Sequence, residues 1–276
     1  MTFGFIASFA TAGVRRLGLA QATVAVAAGL VVVQTIRHSW LPAWETVIQQ
    51  LPAGGELRNG RLDWPANSPA RLAESPFVTV DVDVDQTGSF THLADFGIEL
   101  GAQSVKIYSF LGSLKLPYPE NEPLALSRAS VEPWWGARKP FVLLGIGAGV
   151  TLGVMASWIV LTIPGAFAVR LIAFYLDRAV TICGAWKLAA AALLPGAVVM
   201  TAAIALYGLQ RLSLFGLLLA LPLHLVLGWI YLLASPMWLP KLSEQIGTGK
   251  NPFAGGSGKR TAAPRIPTSP ETKTPR

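Results

Sequence analysis

Apolar positions fall into two kinds of run along this chain. Residues 17–36, 141–163, 188–209 and 212–234 are nearly continuous apolar stretches. Each reaches the roughly 20 residues that a helix needs to cross a bilayer core. Residues 37–140 differ: apolar and polar positions alternate there, as in strands with one buried face. The pattern predicts an α-helical membrane bundle of four transmembrane helices, with a small α+β domain inserted between helices 1 and 2. Residues 1–16 then form a cytoplasmic or interfacial N-terminus. Residues 164–187 read as an interfacial helix and linker, because Arg170 interrupts their apolar run and a charge inside a span is costly. Residues 235–276 form a basic tail, disordered for most of its length, rich in Gly, Pro, Ser, Thr and Lys.

Within the insert, 43–51 reads as a short helix stopped by Pro52 and the Gly54-Gly55 pair. Asn59-Gly60 between alternating residues predicts a hairpin, since both tolerate the positive φ of a type I′ turn. That register sets Leu57 opposite Leu62. The run 77–85 alternates strictly: Val78, Val80, Val82 and Val84 on one face, Thr79, Asp81, Asp83 and Asp85 on the other. Further strands, or a strand and a short helix, are expected at 96–100 and 105–108. Prolines 117, 119, 123 and 133 mark an irregular return to the membrane.

Charge sets the orientation. The insert carries twelve acidic and nine basic residues, a net of −3, so the rest of a chain totalling +7 carries +10. Basic residues mark the cytoplasmic side of membrane proteins. Arg15 and Arg16, then Arg170, Arg178 and Lys187, then the tail, all agree with both termini inside and 37–140 outside. This is a multi-pass protein of a cytoplasmic (inner or plasma) membrane, with the bilayer as its first partner. Nucleic acid is excluded, because the folded polar domain is acidic. Cys183 is the only cysteine, so no intrachain disulfide forms.

Several residues stand out within the spans. Gly145, Gly149 and Gly153 lie four apart and form a smooth helix face. It suits a dimer contact or, the favoured reading, packing on the chain's own spans. Pro195 and Pro222 each remove a backbone donor and bend helices 3 and 4. His224 is the only ionisable side chain near the middle of a span. An intramembrane ionisable group raises a relay or a ligand contact. The favoured reading is a histidine hydrogen-bonded across the bundle, with Thr151 and Thr201 as partners.

Asp81, Asp83 and Asp85 are weak metal candidates. A calcium loop wants Gly and Glu where Gln86 and His92 stand. The favoured reading is a solvated or Arg-paired strand face, with Arg58 and Arg61 as partners. The chain has no P-loop, no zinc-protease helix and no Gly-x-Ser-x-Gly elbow. No catalytic residue and no cofactor is therefore assigned.

Leu51-Pro52 before the 56–60 segment, Pro69-Ala70-Arg71-Leu72, and Val80 to Gly88 ending in Asp85-Gln86-Thr87-Gly88 form a recognisable series. Gly184-Ala185-Trp186-Lys187 and Trp229-Ile230-Tyr231-Leu232 extend it. Over most of residues 1–240 the chain resembles a bacterial membrane-protein family catalogued as domain of unknown function eleven eighty-nine. Some members of that family are labelled maltodextrin-utilisation proteins, which would imply a link to sugar uptake. The resulting expectation is a non-enzymatic membrane protein whose outer domain binds a ligand, an envelope component or a partner protein. One alternative is an accessory or sensor subunit of a sugar transporter, engaged through helix 2 or the outer domain. Another is a membrane-embedded enzyme with dispersed carboxylates.

Overall fold

In a computed structural model describing residues 1–85, 94–120 and 123–242, four helical runs are long and apolar enough to cross a membrane. They are Val14–Gln50, Arg128–Tyr175, Ile182–Gly208 and Leu214–Trp238. The 243–276 part of the tail, and Gln86 and His92, lie outside the described residues. A short helix α1 (Phe3–Ala7) and a 3-10 turn precede the first run. Ile6 and Phe9 of this segment are buried in the bundle core with Leu17, Trp158 and Leu188.

The first run is α2 (Val14–Thr35), one turn of π-helix over Ile36–Trp40, and α3 (Leu41–Gln50). Ser39 in the π turn is buried and donates through Oγ to the Gly208 carbonyl at 3.0 Å. Leu51 turns extended, and Pro52 follows, where the sequence predicts the stop.

The Asn-Gly hairpin forms as predicted from β1 (Glu56–Arg58) and β2 (Arg61–Asp63). Leu57 faces Leu62, with φ of 49° at Asn59 and 69° at Gly60. A five-stranded sheet follows: β3 (Arg71–Glu74), β4 (Val78–Asp83), β5 (Phe96–Gly101), β6 (Ser104–Ser109) and β7 (Gly112–Pro117), in that spatial order. Only β4 and β5 run parallel; the other neighbours are antiparallel. The short β8 (Leu124–Ala125) joins the hairpin at β1. Strands β3, β7 and β8 are additions to the sequence reading.

Residues 128–175 form one 48-residue helix, α4. At 1.5 Å per residue it is roughly 72 Å long, against a bilayer core of roughly 30 Å. This corrects two boundaries. The return from the insert is helical from Arg128, and residues 164–175 continue the helix instead of forming a separate one. Pro133, Pro140 and Pro164 lie inside it. Each costs one backbone donor, but Gly165, Val169 and Ala173 are buried beyond Pro164, and that packing holds the helix together. Arg170 stays exposed near the far end of α4.

The next helices are α5 (Ile182–Ala192), α6 (Leu194–Gly208) and α7 (Leu214–Ala234). Thr181 caps α5, accepting from Gly184 N at 3.0 Å. The break at Leu193 falls two residues before Pro195, which sits in the first turn of α6. The turn from α6 to α7 runs through Gln210, at a φ of 57°, and Ser213 caps α7.

One face of the five-stranded sheet, led by Val78, Val80 and Val82, lies on the end of the bundle. Ala43 and Val47 of α3 and Leu57 and Leu62 of the hairpin share that core. So does Tyr207 of α6, with Leu212, Leu214 and Leu217 packed against it. The sheet domain and the bundle are therefore joined by apolar packing and not only by two chain crossings.

Candidate functional site

The acids of β4 do not face water. Asp81 is fully buried, and Thr79, Asp83 and the β5 residue Glu99 are nearly so. Burying carboxylates requires partners, and the register supplies them. Arg71, Asp81, Glu99, Lys106 and Lys115 stand directly opposite one another across β3, β4, β5, β6 and β7. Two acids at the centre are flanked by bases. Arg71 Nε donates to Asp81 Oδ1 at 2.9 Å. Glu99 accepts from Lys106 Nζ at 2.8 Å and from Tyr108 Oη at 2.8 Å. Hydrogen bonding to Glu99 raises the Lys106 ammonium above its usual range. Burial, then the bond to Glu99, raises the Tyr108 phenol.

The expected solvated face is thus a closed, Arg-paired one, and the partner is Arg71. Arg58 instead meets Glu56 at the surface, at 3.2 Å. Asp85 lies exposed past the end of β4. Among the described residues no group of three or more His, Cys, Asp or Glu is placed to hold a metal ion.

The row of charges ends at β7, the sheet's outer strand. All six of its residues are exposed, Leu114 at 56% and Leu116 at 45%. Lys115 lies between them and makes no ion pair among the described residues. Among the described residues no strand pairs with the outer edge of β7, the geometry that accepts an added strand. The turn before β7 rests on the start of α7, with the Phe110 and Phe215 rings 6.0 Å apart.

The residues singled out within the spans are placed differently from one another. Nothing lies within 4 Å of a Cβ built at Gly145, Gly149 or Gly153. That strip faces away from the rest of the chain. Close approach between α2 and α4 is made by Gly29 and Gly147 instead: a Cβ on Gly29 would stand 2.7 Å from the Gly147 carbonyl. Thr151 serves this same contact, donating to Gly147 O at 2.9 Å and to Ala25 O at 3.4 Å. Thr201 donates to Ala197 O at 2.8 Å, within its own helix.

His224 bonds to neither threonine, and its Nδ1 is buried without a hydrogen-bond partner among the described residues. Its backbone is pinned where α6 meets α7: a Cβ on Gly196 would come within 2.4 Å of the His224 carbonyl. Pro222 stands inside α7, two residues earlier. The imidazole, Thr201 and Ser157 all line one cavity among α2, α4, α6 and α7. The sequence signalled His224 by its type and depth; the cavity, and the β7 edge with Lys115, had no such signal. No family model, curated protein or solved structure matches the chain.

Proposed function

We propose that this chain is a non-enzymatic membrane protein whose sheet domain, outside the cytoplasm, captures an extended segment of a partner protein along β7. The observation that carries the reading is the exposed outer strand with Lys115 closing the row of charges. An incoming strand gains main-chain hydrogen bonds from the free edge. The exposed leucines and the lysine between them select a segment with an acidic residue flanked by apolar ones.

The test is binding of a labelled extended peptide, Val-Asp-Val flanked by serines, to the purified full-length protein in detergent. The wild type binds the acidic peptide in preference to one with Lys at the centre. Lys115→Glu reverses that preference. Equal binding of both peptides by both proteins would sink the reading.

Orientation belongs to the same proposal. Arg15 and Arg16 at the start of α2, and Arg178 and Lys241 beside each other, lie at the end of the bundle away from the sheet. That distribution supports both termini inside an inner or plasma membrane. A C-terminal reporter that is active only in the cytoplasm should be active; an outside signal overturns the assignment.

A second reading, a sensor or accessory subunit of a transporter, draws support from the shared core. Tyr207 of α6 packs against Phe77 of the sheet domain, with ring centroids 5.2 Å apart, so an event at the sheet is mechanically connected to a spanning helix. The resemblance to the membrane family with maltodextrin-utilisation members points the same way. A stoichiometric transporter subunit co-purified in mild detergent would favour this reading. The enzyme reading draws no support from the buried acids, because Asp81 and Glu99 are already engaged by Arg71, Lys106 and Tyr108.

A further inference from the structure

We infer that the cavity bordered by His224 is a binding site for a small, uncharged, membrane-dissolved molecule. Such a molecule has an apolar body and one hydroxyl or carbonyl oxygen. Four observations define that chemistry.

The first is size. The cavity measures about 160 Å³, and apolar protein cavities of roughly 150 Å³ take up benzene. A single six-membered ring or a short branched chain fits. The second is the wall. Val32, Val154, Trp158, Leu193 and Ile204 make it overwhelmingly apolar, and no Asp, Glu, Lys or Arg lines it. A charged ligand would have no counter-charge there and would carry its full desolvation cost.

The third is the unsatisfied polar group. Among the described residues His224 Nδ1 is buried with no partner, and a buried polar atom without one is costly. The hydroxyl protons of the other polar side chains in the wall are already committed. Thr201 donates to Ala197 O and Ser157 to Val154 O, each at 2.8 Å. A neutral imidazole presents one N–H donor and one acceptor nitrogen. It therefore suits either a hydroxyl or a carbonyl.

The fourth is depth and access. His224 is the middle residue of the 21-residue α7, roughly 15 Å from either end. Phospholipid headgroups and ester carbonyls lie nearer the surfaces, so they are not the source of this oxygen. Leu161 and Leu225 line the cavity and are each 44% exposed. They open it between α4 and α7 toward the acyl chains. The site is loaded from within the bilayer, not from water.

The experiment uses the full-length protein in phosphatidylcholine nanodiscs with isotope-labelled histidine. The chain has only three histidines, and loss of one signal in His224→Gln assigns the ring. Benzyl alcohol is titrated against toluene, its counterpart without oxygen. Benzyl alcohol should shift the His224 ring signals saturably. Toluene should bind about tenfold more weakly, the value of one hydrogen bond. Ala197→Leu, which fills the cavity, should abolish the saturable shift. Ser157→Leu fills it from α4 and is the second variant should the first not fold.

A non-saturable shift would show bulk partitioning and overturn the inference. So would equal affinity for the two probes, or a response unchanged in both filled variants. An imidazole signal already hydrogen-bonded to water and indifferent to benzyl alcohol would do the same.

Discussion

Tyr207 of α6 donates its hydroxyl to Asp95 Oδ2 at 2.8 Å, across the junction between the bundle and the sheet domain. The donor sits near the end of α6, in a helical run long and apolar enough to cross a membrane, and the acceptor immediately precedes β5. Its ring meanwhile packs edge-on against Phe77. One side chain thus supplies both apolar and polar contact between the two halves.

Tyr207→Phe keeps the packing and leaves Asp95 without this donor. It should cost about 1.5 kcal/mol, the lower range for a bond to a charged group. Tyr207→Ala removes the ring as well and should cost about 3–5 kcal/mol. Hydrogen exchange in β4 and β5, with the thermal midpoint in detergent, reads the effect. If exchange in the strands is unmoved by both changes, the junction does not stabilise the sheet.

The glycines of the spans separate by what a methyl would meet. On Gly29 it would stand 2.5 Å from Thr151 Oγ1 and 2.7 Å from Gly147 O. Gly29→Ala should therefore destabilise by about 1–3 kcal/mol through overpacking. Gly145→Ala meets nothing within 4 Å and should change stability by less than about 0.5 kcal/mol. Unfolding of the two variants in mixed micelles compares them directly, and equal losses would contradict the α2–α4 contact.

Glu99→Gln removes the buried charge that Lys106 and Tyr108 share. Breaking a fully buried pair costs about 3–5 kcal/mol. The Lys106 side chain is 29% exposed and can turn toward water, so the expected loss is smaller, about 1–3 kcal/mol. Lys115→Ala, in the same row but at the open edge, should be nearly silent in stability. Thermal melts of the two variants should differ in that order.

Tyr118 is partly buried, and its hydroxyl, which is buried, lacks a partner among the described residues. Burial pushes its phenol up to about 12. The unfolded chain ionises near pH 10, so it releases this proton first as pH rises. The stability contribution is present below about pH 10 and is lost between there and about pH 12. Tyr118→Phe should flatten that decline and be neutral to slightly stabilising at pH 8, because it removes an unsatisfied hydroxyl. Tyrosinate absorbance should show one fewer late-titrating group.

Local signals read well from the residues alone. The Asn59-Gly60 turn, the β4 alternation and the stop after α3 depend on neighbours in the chain. The second face of β4 did not read, because the partners that let Asp81 and Glu99 be buried come from two other strands, β3 and β6. Proline was over-read as a mark of irregular chain at Pro133, which lies inside α4. Strand β7 escaped because its glycine start and proline end resemble a loop. His224 was legible as unusual; that Thr151 turns to the α2–α4 contact, leaving the imidazole on a cavity, depends on how four helices pack.

The π turn at Ile36–Trp40 has a bearing on how this architecture can vary. One additional residue in a helical turn advances everything beyond it by about 100° around the axis. The same rod thereby aims Leu17 and Ala25 at its fellow helices and Ala43 and Val47 at the sheet. The azimuth of the sheet domain is in effect counted in residues. Deleting one residue within 36–40 would swing the apolar side of α3 off the strands while leaving the spanning part untouched. Such a single-residue deletion is a means of rotating, and so uncoupling, the domain without altering its sequence.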